Sequence, residues 1–267
     1  MYFNREAFSS TGIICKGLLI LVATILSASF MKQKEVPPYL QPYLEGQVLL
    51  IHKPIGWTSF DVVRKIRNMT RVRKVGHAGT LDPLATGLLI VCTGKYTKEI
   101  NRYMGMEKEY TATFTVGAVT PSFDLETEPE LHKPFEHLTT EQINAAAQQL
   151  TGSILQVPPQ HSAIKKDGKP VYLSARKGIE VKLEPRPVTI YRFEITRIAL
   201  PQVECTIVCS TGTYIRSLAN DFGQLLGTGA YMSSLCRTRI GTFSLTDAIS
   251  TDTLQEQIHQ AAQVSEG

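Results

Sequence analysis

Hydrophobic and polar residues alternate along residues 109–116, where Tyr110, Ala112, Phe114 and Val116 fall on one face and threonines lie between them. This period of two predicts a β-strand with one buried and one polar face. Three apolar runs predict further strands, at residues 47–52, 88–94 and 203–209.

Helical periodicity follows the first of these strands. Val62, Val63 and Ile66 form an apolar stripe, and Thr58 or Ser59 can cap the helix. Further helices are predicted at residues 97–104, 140–150 and 213–226. The last has a predicted core stripe of Ile215, Leu218, Ala219, Phe222, Leu225 and Leu226, and Gly227 stops it. Strands interleaved with helices indicate a mixed α/β fold whose strand order the sequence leaves open.

The first part of the chain has a different pattern. Residues 17–31 carry no charge and resemble the apolar core of a signal peptide. Met31 opens a polar stretch typical of the start of a globular protein, so we expect residues 1–30 to reflect a misassigned start codon and the native chain to begin at or near Met31. Read literally, the segment predicts an exported or membrane-anchored protein instead.

Charge is distributed unevenly along the 267 residues. Residues 51–110 contain eleven Lys or Arg against five Asp or Glu, and residues 161–197 contain nine against four. Residues 121–142 contain six acids and one lysine. Two basic segments could form a surface for a polyanion, with residues 158–170 as a basic loop closing over it. The alternative is a set of solvated faces.

The five cysteines, Cys15, Cys92, Cys205, Cys209 and Cys236, form no pair with the spacing of a metal site. This number and spacing indicate a reduced, cytoplasmic protein without a structural metal.

Asp82 is the candidate reactive carboxylate. It lies in the glycine-rich segment GHAGTLDPLATG, where glycines permit a tight turn and the close approach of a ligand. A carboxylate on such a turn could be a nucleophile or a base. The alternative, which these residues favour on their own, is a turn in which the carboxylate caps local amides.

Three other side chains have a structural and a functional interpretation. Arg216 stands in the first turn of a predicted helix, where it could pair with a buried carboxylate or be a surface arginine. Tyr110 could pack in the core or stack on a base. His77, alone, reads as a turn histidine.

The runs HKPIGWTSFDVV, GHAGTLDPLATGLLIV, KEY and GTYIRSLANDFG occur in this order, and with their separation they resemble the TruB family of tRNA pseudouridine synthases. The resemblance covers roughly residues 46–249. It implies a pseudouridine synthase fold, with a central mixed or antiparallel sheet flanked by helices and loops and an RNA cleft across it.

The resemblance also implies roles for individual residues. Asp82 matches the essential aspartate, acting either on the base or at the sugar, and Arg216 matches its arginine partner. Tyr110 matches the tyrosine that stacks on the uracil and is implicated in removing the proton from C5. The matches to substrate-binding positions are His77, Tyr214, Lys53 and Leu235.

The implied reaction converts uridine 55 in the T loop of tRNA to pseudouridine without a metal or other cofactor. The resemblance implies a catalytic domain at residues 46–250, after a leader at 1–45. Residues 251–267 leave room only for a short helical tail in place of the RNA-binding PUA domain of many relatives. We expect a cytoplasmic monomer with tRNA as its partner and no membrane partner. A tRNA-binding or tRNA-folding protein is the alternative.

Overall fold

The computed structural model describes residues 36–266 except 163, 167, 176, 177 and 180. The predicted leader therefore lies largely outside the described residues. The chain divides into two compact units, Met1–Pro38 and Tyr39–Gly267, and the second contains the sheet and helices described below.

The helices are α1 (Gln41–Glu45), α2 (Ser59–Thr70), α3 (Ile100–Gly105), α4 (Thr140–Gln149), α5 (Tyr172–Ala175), α6 (Ile215–Leu225) and α7 (Thr251–Glu266). The strands are β1 (Val48–Lys53), β2 (Val75–His77), β3 (Thr86–Thr93), β4 (Lys108–Val116), β5 (Gly152–Gln156), β6 (Lys165–Lys166), β7 (Lys169–Pro170), β8 (Arg186–Ala199), β9 (Gln202–Cys209), β10 (Ala230–Ile240) and β11 (Phe243–Ser244). Short 3-10 turns occupy Pro38–Leu40, Gly94–Glu99 and Leu245–Asp247.

Nine strands form one mixed sheet, which confirms the predicted fold class. Its main path runs β1-β3-β10-β4-β9-β8-β5, with β2 paired to β3 and β11 to β10. Strands β3 and β10 pair in parallel, whereas the other pairs in this sheet are antiparallel. The two strands of the parallel pair are about 150 positions apart in sequence. Their pairing brings the second half of β10 beside the start of β3.

The main core lies between one face of this sheet and the helices α4 and α6. Phe114, Phe193 and Phe222 meet there with ring centroids 5.7 to 5.9 Å apart, in tilted and edge-on arrangements that aromatic rings favour. The alternating residues of β4 point into this core as predicted, because Tyr110, Ala112, Phe114 and Val116 are all buried. The other face of β4 carries threonines.

Several helices differ from their predicted bounds. Residues 94–99 form a 3-10 turn, so helix α3 begins only at Ile100. Helix α6 begins at Ile215, and Leu225 was wrongly assigned to its core stripe, since that side chain is 48% exposed. The physical reason is angular: at 100° per residue Leu225 lies at the edge of the stripe centred on Ile215 and Phe222.

One further segment contains more regular structure than the sequence predicted. The loop at residues 158–170 contains the small hairpin of β6 and β7. The tail forms helix α7, which buries Leu254 and Ile258 and contacts α2 and β1. The division into domains stays a prediction.

Candidate active site

The loop that carries Asp82 joins β2 to β3 and is held in place by helix α2. The hydroxyl of Ser59, at the start of α2, accepts from the Leu81 amide at 2.9 Å and lies 3.2 Å from the Leu81 carbonyl. Leu81 and Ala85 are buried on either side of Asp82, whose side chain is 31% exposed. The loop thus holds its hydrophobic residues inward and presents the carboxylate at the surface of the site.

Arg216 reaches Asp82 from 134 positions along the chain. Its Nη2 donates to Asp82 Oδ1 at 3.1 Å, and its Nε lies 2.9 Å from Oδ2. In the described part of the chain no amide of the Asp82 loop donates to this carboxylate. The turn-cap interpretation of Asp82 therefore does not fit the structure, and the ion pair does.

The guanidinium of Arg216 also joins two other segments to the site. It is 3% exposed, and it donates to the carbonyls of His161 at 3.0 Å and Ser122 at 3.3 Å. His161 belongs to the predicted basic loop, and its ring nitrogen lies 3.5 Å from a carboxylate oxygen of Glu126. Arg216 is thus the point where the Asp82 loop, the acidic segment and the basic loop meet.

Asp124 is a second acid at this point that the sequence did not single out. It is buried, and its Oδ2 lies 3.4 Å from Arg216 Nε. Its Oδ1 accepts from the Glu126 amide at 3.0 Å. Asp124 lies in the acidic segment, whose charge pattern suggested a solvated face, so the sequence signal pointed away from a site.

Opposing influences act on the Asp82 carboxyl. Burial raises its pKa, the nearby Arg216 guanidinium lowers it, and the negative charge of Asp124 raises it again. Burial dominates, so the pKa of Asp82 lies above its usual value. The arginine keeps the ionised form accessible and oriented.

Tyr110 faces the same site from β4, and its pKa is raised chiefly by burial. It pairs across the sheet with Arg237 of β10, whose charge acts on the phenol. Arg237 is the largest fully buried side chain among the described residues, and it was not among the predicted site residues. An isolated arginine in a strand gives no sequence signal of its role.

Lys53 lies beneath the Asp82 loop. Its side chain is fully buried, and its Nζ donates to the carbonyls of Pro54 (3.0 Å), Trp57 (2.6 Å) and Pro83 (3.3 Å). Burial lowers the pKa of Lys53 to about 8. This geometry fits a lysine that connects the KP-x-G turn to the Asp82 loop. It fits a lysine that contacts substrate less well.

The other predicted substrate-binding residues surround the same loop. His77 ends β2, where burial and then the charge of Arg237 lower its pKa, so the imidazole is held neutral. Leu235 is buried opposite Ala112 on β10, two residues before Arg237 and on its face of the sheet.

Tyr214 precedes helix α6 and is held by a residue that the sequence did not indicate. The Gln156 carboxamide accepts from the Tyr214 amide at 2.8 Å and donates to the Tyr214 carbonyl at 3.0 Å. The Arg186 guanidinium lies 4.9 Å from the centre of the Tyr214 ring, within range of a cation–π contact. Tyr214 is thereby fixed beside Arg216.

Two other kinds of feature do not occur among the described residues. They contain no group of three or more His, Cys, Asp or Glu residues placed to hold a metal ion. Nor do they include a helix that is both long and apolar enough to span a membrane.

Comparison with known proteins identifies the family. Residues 67–215 match the family model described as "TruB family pseudouridylate synthase (N terminal domain)", and residues 216–266 match "tRNA pseudouridylate synthase B C-terminal domain". The chain is 50% identical over 225 residues to "tRNA pseudouridine synthase B" of Flavobacterium johnsoniae, which covers 82% of this chain and 98% of that protein. A protein of the same name from Phocaeicola vulgatus is 47% identical over 224 residues, covering 82% and 95% of the two chains.

A solved structure with the same fold is the "Crystal Structure of a Cbf5-Nop10-Gar1 Complex". It aligns with a TM-score of 0.64 and 29% identity, covering 82% of this chain and 56% of that chain. The identity to the curated relatives extends over nearly their whole length, and the first family model alone spans more than half of this chain. The chain therefore belongs to the TruB family of pseudouridylate synthases, as its motifs predicted.

Proposed function

We propose that this protein converts uridine to pseudouridine in tRNA, at uridine 55 of the T loop, with Asp82 as the essential carboxylate. The observation that carries the proposal is the ion pair of Asp82 and Arg216 at the surface of the site, on the face that Tyr110 also lines. The names of the curated relatives support tRNA as the substrate.

The reaction breaks the bond between N1 and C1′, turns the uracil and joins C5 to C1′. No electrons enter or leave, so the reaction needs no redox carrier. Asp82 would act either on the base or at the sugar, and Arg216 keeps its carboxylate ionised and aimed in both routes. The uridine must first leave its stack, which costs a few kcal/mol.

Tyr110 and the residues around it suit the second half of the reaction. After C5 has joined C1′, C5 still carries its hydrogen, and a base must remove this proton. The Tyr110 hydroxyl lies in the site beside Asp82, whose charge contributes to its raised pKa. We assign Tyr110 both the stacking contact with the uracil and this proton transfer.

The setting of the reaction follows from the substrate. We propose that the protein works in the cytoplasm as a monomer that grips the T arm of tRNA. The basic segments would supply the electrostatic part of this grip. His77, Tyr214 and Leu235 would line the space for the opened loop and the base, with Lys53 bracing the catalytic loop.

The variant Asp82→Asn tests the proposal. It retains the shape of the side chain but lacks the charge, so we expect loss of pseudouridine formation, by at least the roughly 100-fold that removal of a catalytic group causes, with tRNA affinity retained. The measurement is pseudouridine mapping of tRNA after incubation with each protein. Asp247→Asn, an exposed aspartate, is the matched control.

The outcomes are distinct. Pseudouridine at another position of the tRNA would contradict the assignment of uridine 55. Unchanged pseudouridine formation by Asp82→Asn would contradict the assignment of Asp82. Tight tRNA binding with no pseudouridine formed by the wild type would favour the RNA-binding alternative.

A further inference from the structure

Arg237 is a buried cation that the proposed mechanism does not yet use. It is 1% exposed and lies in β10, two residues after Leu235. Its Nε donates to the Leu88 carbonyl at 2.8 Å, and its Nη2 donates to the Gly79 carbonyl at 3.1 Å. An arginine this deep in a protein needs partners for its charge, and these carbonyls alone carry no negative charge.

The strand register places Arg237 directly against the site. It pairs with Tyr110 across β4 and with Gly87 across β3. Side chains of residues opposite each other in an antiparallel pair stand about 5 Å apart on one face of the sheet. The register shifts between Arg237 and Arg239, and such a bulge re-aims the side chains beside it.

Gly87 permits this arrangement. Its φ of +106° is one that side-chain-bearing residues rarely adopt, and a Cβ there would collide with the Arg237 backbone. Strands β3 and β10 can therefore approach closely at this point. The close approach brings the guanidinium under the loop that carries Asp82, where it contacts Gly79.

The two reactive groups thus have separate arginine partners. Arg216 holds the Asp82 carboxylate, and Arg237 stands beside Tyr110 as its cross-strand neighbour, where its charge acts on the phenol. A guanidinium has donors and no acceptor, so toward the phenol it can only donate. Its position therefore favours the ionised phenolic oxygen.

We propose that Arg237 is a positioning residue for Tyr110, which fixes the phenolic oxygen toward C5 of the turned uracil and stabilises its ionised form. This inference rests on the proposed function. In the step concerned, Tyr110 enters as phenolate and accepts the C5 proton. The electron pair of the C5–H bond becomes the ring double bond, and Tyr110 leaves as phenol.

The charge of Arg237 acts in the direction that this role requires. Burial raises the pKa of Tyr110, while the charge of the neighbouring Arg237 lowers it. Without the guanidinium, less phenolate would be present at a given pH. The planar guanidinium also presents its N–H donors in a fixed geometry, which a lysine at this position would not reproduce.

The test is a double-variant cycle with the full-length protein and tRNA carrying 5-deuterouridine. We expect Arg237→Lys to slow proton removal from C5 by roughly 10- to 100-fold, within the range of base catalysis. A deuterium isotope effect should appear or increase, and the rise of the rate with pH, which follows ionisation of Tyr110, should move to higher pH. In a Tyr110→Phe background, Arg237→Lys should change none of these quantities.

Controls separate this role from a structural one. Lys108 is another buried cation in the same sheet, which donates to the carbonyls of Met104 and Met106. Lys108→Met should lower stability while leaving the isotope effect unchanged. An isotope effect that Arg237→Lys leaves unchanged, or an equal loss of rate in both Tyr110 backgrounds, would overturn the proposal.

A second measurement covers the case in which Arg237→Lys does not fold. Replacing Tyr110 by 3-fluorotyrosine lowers the pKa of the phenol without disturbing Arg237, and it should move the rise of the rate with pH to lower pH. An unmoved rise would overturn the proposal. Neither experiment depends on Asp82→Asn, whose result tests the proposed function separately.

Discussion

At the scale of single residues, the site is organised by charged side chains that are shielded from water and form ion pairs with specific partners. Asp82, Asp124 and Arg216 form one such group, with two acids against one arginine. Two negative charges on one guanidinium oppose each other, so each acid makes the other harder to ionise. The protonation of Asp82 therefore depends on a neighbour that need not touch the substrate.

This coupling predicts a shifted pH profile. The charge of Asp124 raises the pKa of Asp82, so Asp124→Asn should lower that pKa. Because the reactive form is the carboxylate, activity is lost as pH falls through this pKa, and the acid limb should move to lower pH. The measurement is the single-turnover rate of pseudouridine formation against pH, with Glu128→Gln, exposed in the same segment, as control. An acid limb that stays in place would argue against the coupling.

At the scale of elements, helix α2 begins with a strong cap and also supports the loop that carries Asp82. Thr58 accepts from the Asp61 amide at 3.0 Å, while the Thr58 amide donates to the Asp61 carboxylate at 2.9 Å, which completes a capping box. The next residue, Ser59, bonds to Leu81 beside Asp82. One turn of helix thus serves two different purposes.

Two neighbouring variants should separate these purposes. Thr58→Ala removes the cap and should cost about 1 kcal/mol of unfolding free energy with little change in turnover. Ser59→Ala leaves the buried Leu81 amide without its partner, costing about 1–3 kcal/mol, and should also lower turnover because the loop loses its support. Thermal denaturation and single-turnover rates well below the melting temperature would measure both. Equal turnover in the two variants would contradict a positioning role for Ser59.

At the scale of the whole molecule, basic side chains also lie at the end of helix α2 that is farther from the Asp82 loop. Exposed cations at the C-terminal end of α2 and the start of β2, Arg71, Arg73 and Lys74, have no acidic partner within 4 Å in the described part of the chain. Helix α2 is about 18 Å long at 1.5 Å per residue. We therefore expect these cations to contact RNA backbone outside the target loop.

Such contacts should make tRNA binding strongly dependent on salt. Each phosphate neutralised contributes about 0.7 to 0.9 to the slope of log K against log salt. The double variant Arg73→Gln/Lys74→Gln should therefore reduce that slope by about 1.4 to 1.8. Lys133→Gln, which removes an exposed cation outside both basic segments, is the control. Equal slopes for wild type and the double variant would refute this contact.

The sequence by itself determined most of the elements and indicated the candidate reactive residues. Hydrophobic residues repeat every two positions in β4 and every three to four in α2 and α4, and this repeat specifies which face of each element is buried. The reason is that both periods follow from local backbone geometry. The motif around Asp82 is contiguous, and its resemblance to one family supplied Tyr110 and Arg216. Local exceptions arose at helix ends, where Leu225 and residues 94–99 depend on packing that the periodicity does not contain.

Only the tertiary structure decided how these residues are connected. Arg216 and Asp82 meet across 134 positions, and Arg237 reaches the Leu88 carbonyl across 149. The buried Asp124 and Gln156 and the enclosed Lys53 give no sequence signal of their burial, since a polar residue appears exposed until its partners are placed. The strand order, with β10 between β3 and β4, brings those partners together.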